Sequence, residues 1–170
     1  MLPLRLLAVV SLAIAPAAFA QQAQQTQPAP AATPPPYGLS LTLDQARRAV
    51  AAAEAEAARN GWSMAIAVVD AGGRLVLFQR MDGTQLGSLD PAVGKAVTAV
   101  NYRRPTKALE DGVAGGGAGL QLLAVPGLLP VNGGFPILLD GRVVGGIGAS
   151  GARTAQDAQV AKAGLDAVAP

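Results

Sequence analysis

Val131-Asn132-Gly133-Gly134-Phe135-Pro136-Ile137-Leu138-Leu139-Asp140-Gly141-Arg142-Val143-Val144-Gly145-Gly146-Ile147-Gly148-Ala149-Ser150-Gly151 is the stretch that decides the fold. Asp140-Gly141 stands between two apolar runs. It reads as a two-residue hairpin turn, because both central positions of such a turn take positive φ. Glycines at 133, 134, 145, 146, 148 and 151 let backbone approach backbone, or a ligand, where a Cβ would clash. The reading is a hairpin over about 135–148, then a glycine-rich turn, then a closing helix.

Working outward, Thr42-Leu43-Asp44-Gln45 fits a capping box with Thr42 as N-cap. Leu43, Ala46, Val50, Ala53 and Ala57 follow at helical spacing, and Asn60-Gly61 closes that helix. Met64–Val69 and Arg74–Arg80 read as two strands joined by a turn over Asp70–Gly73. Asp90 is expected to cap a second helix with Pro91 in its first turn, ending before Pro105. Thr106–Asp111 reads as a short helix and Gly112–Gly119 as a mobile loop. Thr154 is expected to cap the last helix with Asp157 in its first turn, and Ala158, Ala161, Leu165 and Val168 form its apolar stripe. Strands joined by tight turns pair antiparallel. The expected fold is therefore α+β, one domain with an antiparallel sheet flanked by helices.

Composition bounds the rest. Residues 1–20 have the form of a secretion signal: Arg5, an apolar run over 6–15, and Ala18-Phe19-Ala20 for cleavage after Ala20. The run is too short to span a bilayer, so no membrane span is expected after cleavage, and the location is expected to be periplasmic or secreted. Residues 21–38, rich in Gln, Ala, Thr and Pro, read as a disordered linker, leaving 39–170 as the domain. There is no cysteine to staple it. Cleavage would remove Arg5 and leave 12 basic against 11 acidic residues. A net charge near +1 and 4% aromatics supply neither an electrostatic footprint nor stacking platforms for nucleic acid. With 51% hydrophobic residues and 14% charged, the chain is expected to be a homo-oligomer.

Chemistry-bearing motifs are few. Gly146-Ile147-Gly148-Ala149-Ser150-Gly151 has the letters of a dinucleotide fingerprint, but no second parallel strand or acidic residue about 20 positions on can follow. Tight packing is the preferred reading, with amides at the following helix start free for an anion. Ser150 has no histidine to serve as base and reads as a turn residue, with a Ser–Lys arrangement with Lys95 the weak alternative. Without Cys or His only oxygen ligands remain for a metal. Asp70, Asp82, Asp90, Asp140 and Asp157 lack loop spacing for one, so no metal site is assigned. Lys95, Arg103, Arg104 and Lys107 form a basic cluster that reads either as solvated surface or as a clamp for carboxylates. Lys95 sits among apolar neighbours, where a lysine pairs with a carboxylate, becomes a base, or snorkels to solvent.

Ala67-Val68-Val69-Asp70-Ala71-Gly72-Gly73, Arg80-Met81-Asp82-Gly83, Gly94-Lys95-Ala96, Arg104-Pro105-Thr106, Gly133-Gly134-Phe135-Pro136-Ile137, Gly145 to Gly151 and Gln156-Asp157 occur in order. With them the chain resembles the GlcG/HbpS family of small haem-associated proteins, which includes PduO C-terminal-like domains. The resemblance implies profilin-like α/β/α layers, oligomers, and haem or a related tetrapyrrole as ligand. Haem attachment in such proteins implies an axial ligand, usually histidine. This chain has none, so Met81, Met64, Tyr102 or Lys95 would have to serve. Two functions follow as expectations. One is a small-ligand-binding protein with Met81, Lys95, Tyr102, Arg103, Arg104, Gly133, Gly134 and Phe135 at the site. The other is an enzyme or enzyme accessory acting on a small carboxylate metabolite, with Lys95 and Asp70 as acid/base candidates. A structural oligomer packed through its glycine edges is the plainest reading.

Overall fold

Thr42 opens the first helix as its sequence predicts: its hydroxyl accepts the Gln45 N–H at 3.2 Å, and its own N–H donates to the Gln45 side chain at 2.7 Å. This computed structural model of the protein describes residues 33–168; residues 1–20, read as a signal, and residues 21–32 lie outside the described residues. Helix α1 (Leu43–Arg59) buries Ala46, Ala49, Val50, Ala53 and Ala57 and ends at Asn60, with Gly61 at φ +69°. Leu43, expected in the stripe, is the first helical residue and is exposed, and Ala49 is buried in addition to the rest of the stripe.

Strands β1 (Ala65–Asp70) and β2 (Leu75–Arg80) pair antiparallel around the predicted turn. The Asp70 carboxylate holds that turn by accepting the N–H groups of Gly72 and Arg74, each at 2.8 Å. Strands β3 (Gly134–Leu139) and β4 (Arg142–Ser150) form the second hairpin, with Asp140 at φ +50° and Gly141 at +71°. β4 also pairs antiparallel with β1, giving one sheet in the order β2-β1-β4-β3. β1 is central and its apolar residues on both faces are buried.

The sheet separates two cores. Ile66, Val68, Ile147 and Ala149 face α1 and α4 (Thr154–Asp166). Ala65, Ala67, Val69 and Val143 face α2 (Leu89–Tyr102). The glycines of β4 set how closely α2 lies. A Cβ on Gly148 would stand 2.2 Å from the Ala92 carbonyl oxygen, and one on Gly146 would stand 2.8 Å from that of Ala96. The fingerprint-like letters thus serve helix-on-strand contact.

Four local expectations are corrected. α2 begins at Leu89 after a 3-10 turn over Leu86–Ser88, so Asp90 lies inside the helix rather than capping it. α3 (Lys107–Ala114) runs through Gly112, and Gly117–Ala124 is a 3-10 helix rather than a mobile loop. Gly119 packs so tightly on the Gly112 carbonyl that a Cβ would come within 1.8 Å, so these glycines buy contact rather than motion. In α4 the N-cap is Arg153, whose N–H donates to the Gln156 side chain at 3.1 Å, with Thr154 the first helical residue. Of the expected stripe, Ala161 and Val168 are buried, Leu165 packs partly on the core and Ala158 is half-buried; Asp157, Val160 and Gly164 are buried as well.

Candidate functional site

Lys95 lies mid-way along α2 on the side facing β4, which is why it points inward. It is 1% exposed. Its ammonium donates to an Asp157 carboxylate oxygen at 2.7 Å and to the Ala149 carbonyl at 3.0 Å. Asp157, 2% exposed, accepts with its other oxygen the N–H groups of Gly151 and Ala152, each at 3.0 Å. The amides expected to be free for an anion are thus taken by the chain's own carboxylate. Gly133, at φ +115°, passes so close that a Cβ would meet Asp157 Cβ at 2.9 Å and Lys95 Nζ at 3.1 Å.

The network continues through buried polar groups. The Gly133 N–H donates to the Asn132 side chain at 2.8 Å, and the Gly134 N–H to the Thr106 hydroxyl at 3.0 Å. The Thr106 N–H returns a bond to the Gly134 carbonyl at 3.0 Å, and Asn132 N–H donates to Glu110 at 3.2 Å. The centre therefore ties α2, α4, β4 and the start of α3 through the 132–134 loop. Every buried side-chain nitrogen and oxygen among the described residues has a partner. Of the open readings of Lys95, the carboxylate-paired one describes the molecule.

Of the residues singled out from the sequence, Lys95, Gly133 and Gly134 come together. Tyr102, Arg103 and Arg104 do not join them: they close α2, eight residues or about 12 Å further along the helix axis. Arg103 takes a left-handed conformation at φ 51° and lies over the Tyr37 ring at 5.3 Å, while its guanidinium donates to the Pro35 carbonyl at 3.3 Å. Lys107 pairs with Asp111, whose hydrogen bond holds the lysine pKa above its ordinary value. The four cations therefore make no common clamp. Met81 and Phe135 pack on the α1/α4 core. Asp70 sits at the β1–β2 turn, opposite Gly145; about 13 Å of strand separates that position from Ala149, where Lys95 binds.

A second place was not singled out beforehand. The last residues of the stretch read as linker, with the few that follow, form a strap along β4. The Val143 N–H donates to the Pro36 carbonyl, Gly38 N–H to the Val143 carbonyl, and Leu41 N–H to the Val144 carbonyl, each at 2.9 Å. Tyr37 latches the strap by donating its hydroxyl to the Val100 carbonyl at 3.0 Å. Between strap, α1 and the β3–β4 turn lies an open cleft of about 630 Å³. Leu39, Leu41, Leu139 and Val144 form its apolar walls; Ser40, Gln45, Asp140 and Arg142 are its polar rim. Leu39 is 92% exposed. Pockets for small ligands commonly occupy about 300–1,000 Å³ with apolar walls and few polar groups. The sequence signal for this cleft was faint: an apolar pair, Leu39 and Leu41, next to a proline run.

The model of a family described as "Haem degrading protein HbpS-like" matches residues 41–166. The chain is 40% identical over 97 residues to Protein GlcG of Escherichia coli K12, covering 57% of this chain and 71% of that one. In structure it is similar to a double mutant of HbpS from Streptomyces reticuli, with TM-score 0.70 and 35% identity over 91% of this chain and 97% of that chain. It is also similar to PduOC, solved as a haem complex, with TM-score 0.69 and 29% identity over 76% of this chain and 95% of that chain.

Proposed function

The chain belongs to the HbpS-like family, and from that membership we propose that it is a secreted or periplasmic binding protein for a small flat ligand, haem or a related tetrapyrrole. The observation that carries the reading is the apolar-walled cleft with Arg142 at its rim, in a fold similar to that of a protein crystallised with haem. An apolar ring is driven out of water into such walls, and a guanidinium matches the geometry of a carboxylate with paired donors. The alternative, acid/base chemistry by Lys95 and Asp70 on a small carboxylate, has less support. Lys95 is sealed in its ion pair, Asp70 is spent on its own turn, and the two lie at different ends of β4.

The ring and an acid group of haem fit the cleft. The iron does not: the chain has no histidine or cysteine, and no methionine lines the cleft. Met64 is fully buried, Met81 packs on the core, and Lys95 is committed to Asp157.

Titration of the protein from Gln21 onward with haem, followed by absorbance, tests the reading. A saturable 1:1 Soret change at micromolar or tighter affinity supports it. A broad, unsaturated change sets haem aside. Secretion is tested by the mass of the protein recovered outside the cytoplasm, expected to begin at Gln21. Assembly into a homo-oligomer, also proposed, is tested by light scattering.

A further inference from the structure

We infer that this protein holds its ligand by the ring and one carboxylate and not by a metal, so that the strap cleft takes a metal-free porphyrin as readily as an iron porphyrin. The inference rests on the proposed binding function and deepens it. Three observations carry it.

The first is the direction of Tyr37, the iron-capable phenol nearest the cleft. Residue 37 lies beside Val143, whose side chain belongs to the α2-side core. The phenol accordingly reaches α2, where Val100 accepts its hydroxyl and Arg103 covers its ring. Leu41 and Val144, by contrast, belong to the α1-side core, the side on which the cleft opens. Tyr37 borders the cleft, but its hydroxyl is spent on the Val100 carbonyl on the α2 side, while its own carbonyl accepts from Arg142.

The second is the donor set. Arg142 is exposed and makes one long hydrogen bond, 3.4 Å to the Tyr37 carbonyl, which leaves most of its five donors free. Gln45 spends its carbonyl oxygen on the Thr42 cap and keeps its amide donors. Ser40 accepts the Ala71 N–H and keeps its O–H. These groups suit a carboxylate. Asp140 at the turn repels a second one, so the ligand enters with one acid group at Arg142 and the rest outward.

The third is Leu39, which stands almost wholly in water at the cleft mouth. A flat apolar ring laid between Leu39 and Leu139 would cover it. None of these contacts involves the centre of the ring.

The test is a pair of titrations on the protein from Gln21 onward, one with haem and one with protoporphyrin IX, on the wild type and on Arg142→Glu and Leu39→Asp. Both positions are exposed, and unchanged thermal unfolding of each variant shows that the fold is kept. The expected result is wild-type affinities for the two porphyrins within about threefold, and a loss of about tenfold or more for both in each variant. Haem binding with protoporphyrin at least about tenfold weaker, or the reverse, overturns metal indifference while leaving the binding function standing. Equal binding of both porphyrins by wild type and variants overturns the cleft as the seat. Failure of the wild type to bind either porphyrin overturns the proposed function together with this inference.

Discussion

The Lys95–Asp157 centre and the strap cleft sit on the same strand, β4, yet treat charge in opposite ways. At the first, both ions are withdrawn from water, and no buried side-chain nitrogen or oxygen among the described residues lacks a partner. At the second, Arg142 lies open to solvent beside apolar walls that nothing else in the described chain fills. Taking ions out of water costs more than their attraction returns unless geometry and extra hydrogen bonds are good. A pair kept at that cost, with both partners also hydrogen-bonded to main chain, is a joint between elements. A cation left half-solvated beside a hollow is available to a partner.

The difference is broken most severely at the joint. Asp157→Asn leaves the Lys95 ammonium buried without its counter-charge and is expected to cost about 3–5 kcal/mol. For a domain of this size that lowers Tm by roughly 10–20 °C, read by calorimetry. Replacing the pair together, Lys95→Met with Asp157→Leu, is expected to return most of the loss, because both desolvation costs disappear. Porphyrin affinity of the double variant at 20 °C should match the wild type; a loss of binding would mean that the centre and not the cleft faces the ligand.

A smaller break is Gly148→Ala. Its methyl would stand 2.2 Å from the Ala92 carbonyl oxygen and 2.7 Å from the Ala96 nitrogen, so α2 must lift from the sheet. The expected cost is about 1–3 kcal/mol, measured as a shift in denaturant midpoint with little change in slope. An unchanged midpoint would mean that α2 is not held at this distance.

Much of the sheet was legible because its signals are local. The Asp140-Gly141 turn, the Asp70–Gly73 turn and the Thr42–Gln45 box each specify their own backbone, and each appears as read. The joint was half legible. A lysine among apolar residues announces a buried partner, but the partner lies 62 residues away on another helix. Asp157 looked like a helix-start acid because i+3 and i+4 arithmetic cannot distinguish a carboxylate serving its own cap from one serving a distant ammonium. The better clue was that Asp157 keeps step with Val160, Ala161 and Gly164, the buried stripe. The cleft was barely legible, Leu39 and Leu41 beside the proline run being its one faint signal. Its walls come from the strap, α1 and the second hairpin, and a proline-rich composition argues for solvent rather than for parallel pairing on β4.

The strap sharpens the comparison at a lower energy. Tyr37→Phe removes the hydroxyl that binds the Val100 carbonyl and is expected to cost about 1 kcal/mol. The effect should be confined to the cleft side: faster hydrogen exchange at Gly38, Leu41 and Val143, whose amides pair strap to strand, and no change at Gly151 and Ala152, which Asp157 holds. Equal acceleration at both places would mean that the two regions open as one unit.

The smallest expected effect lies between them. Glu56, on the α1 helix whose other end borders the cleft, accepts hydrogen bonds from Gln159 of α4 and from Arg59. The Gln159 bond first, and the Arg59 bond second, hold its carboxyl below the ordinary value of 4.5. A carboxylate favoured in the folded state adds stability that is present above the unfolded pKa and is lost as pH falls through the folded one. Gln159→Ala should therefore lose a little stability at neutral pH, a loss kept small because the group is solvent-screened, and its curve should converge with that of the wild type as pH falls below about 4.5. Denaturant unfolding of wild type and variant at pH 3, 4, 5 and 7 reads this directly. If the variant instead loses as much at pH 7 as Asp157→Asn does, the α1–α4 contact is a second joint of the same kind. The contrast would then run between the whole α1/α4 layer and the cleft, not between two sites on one strand.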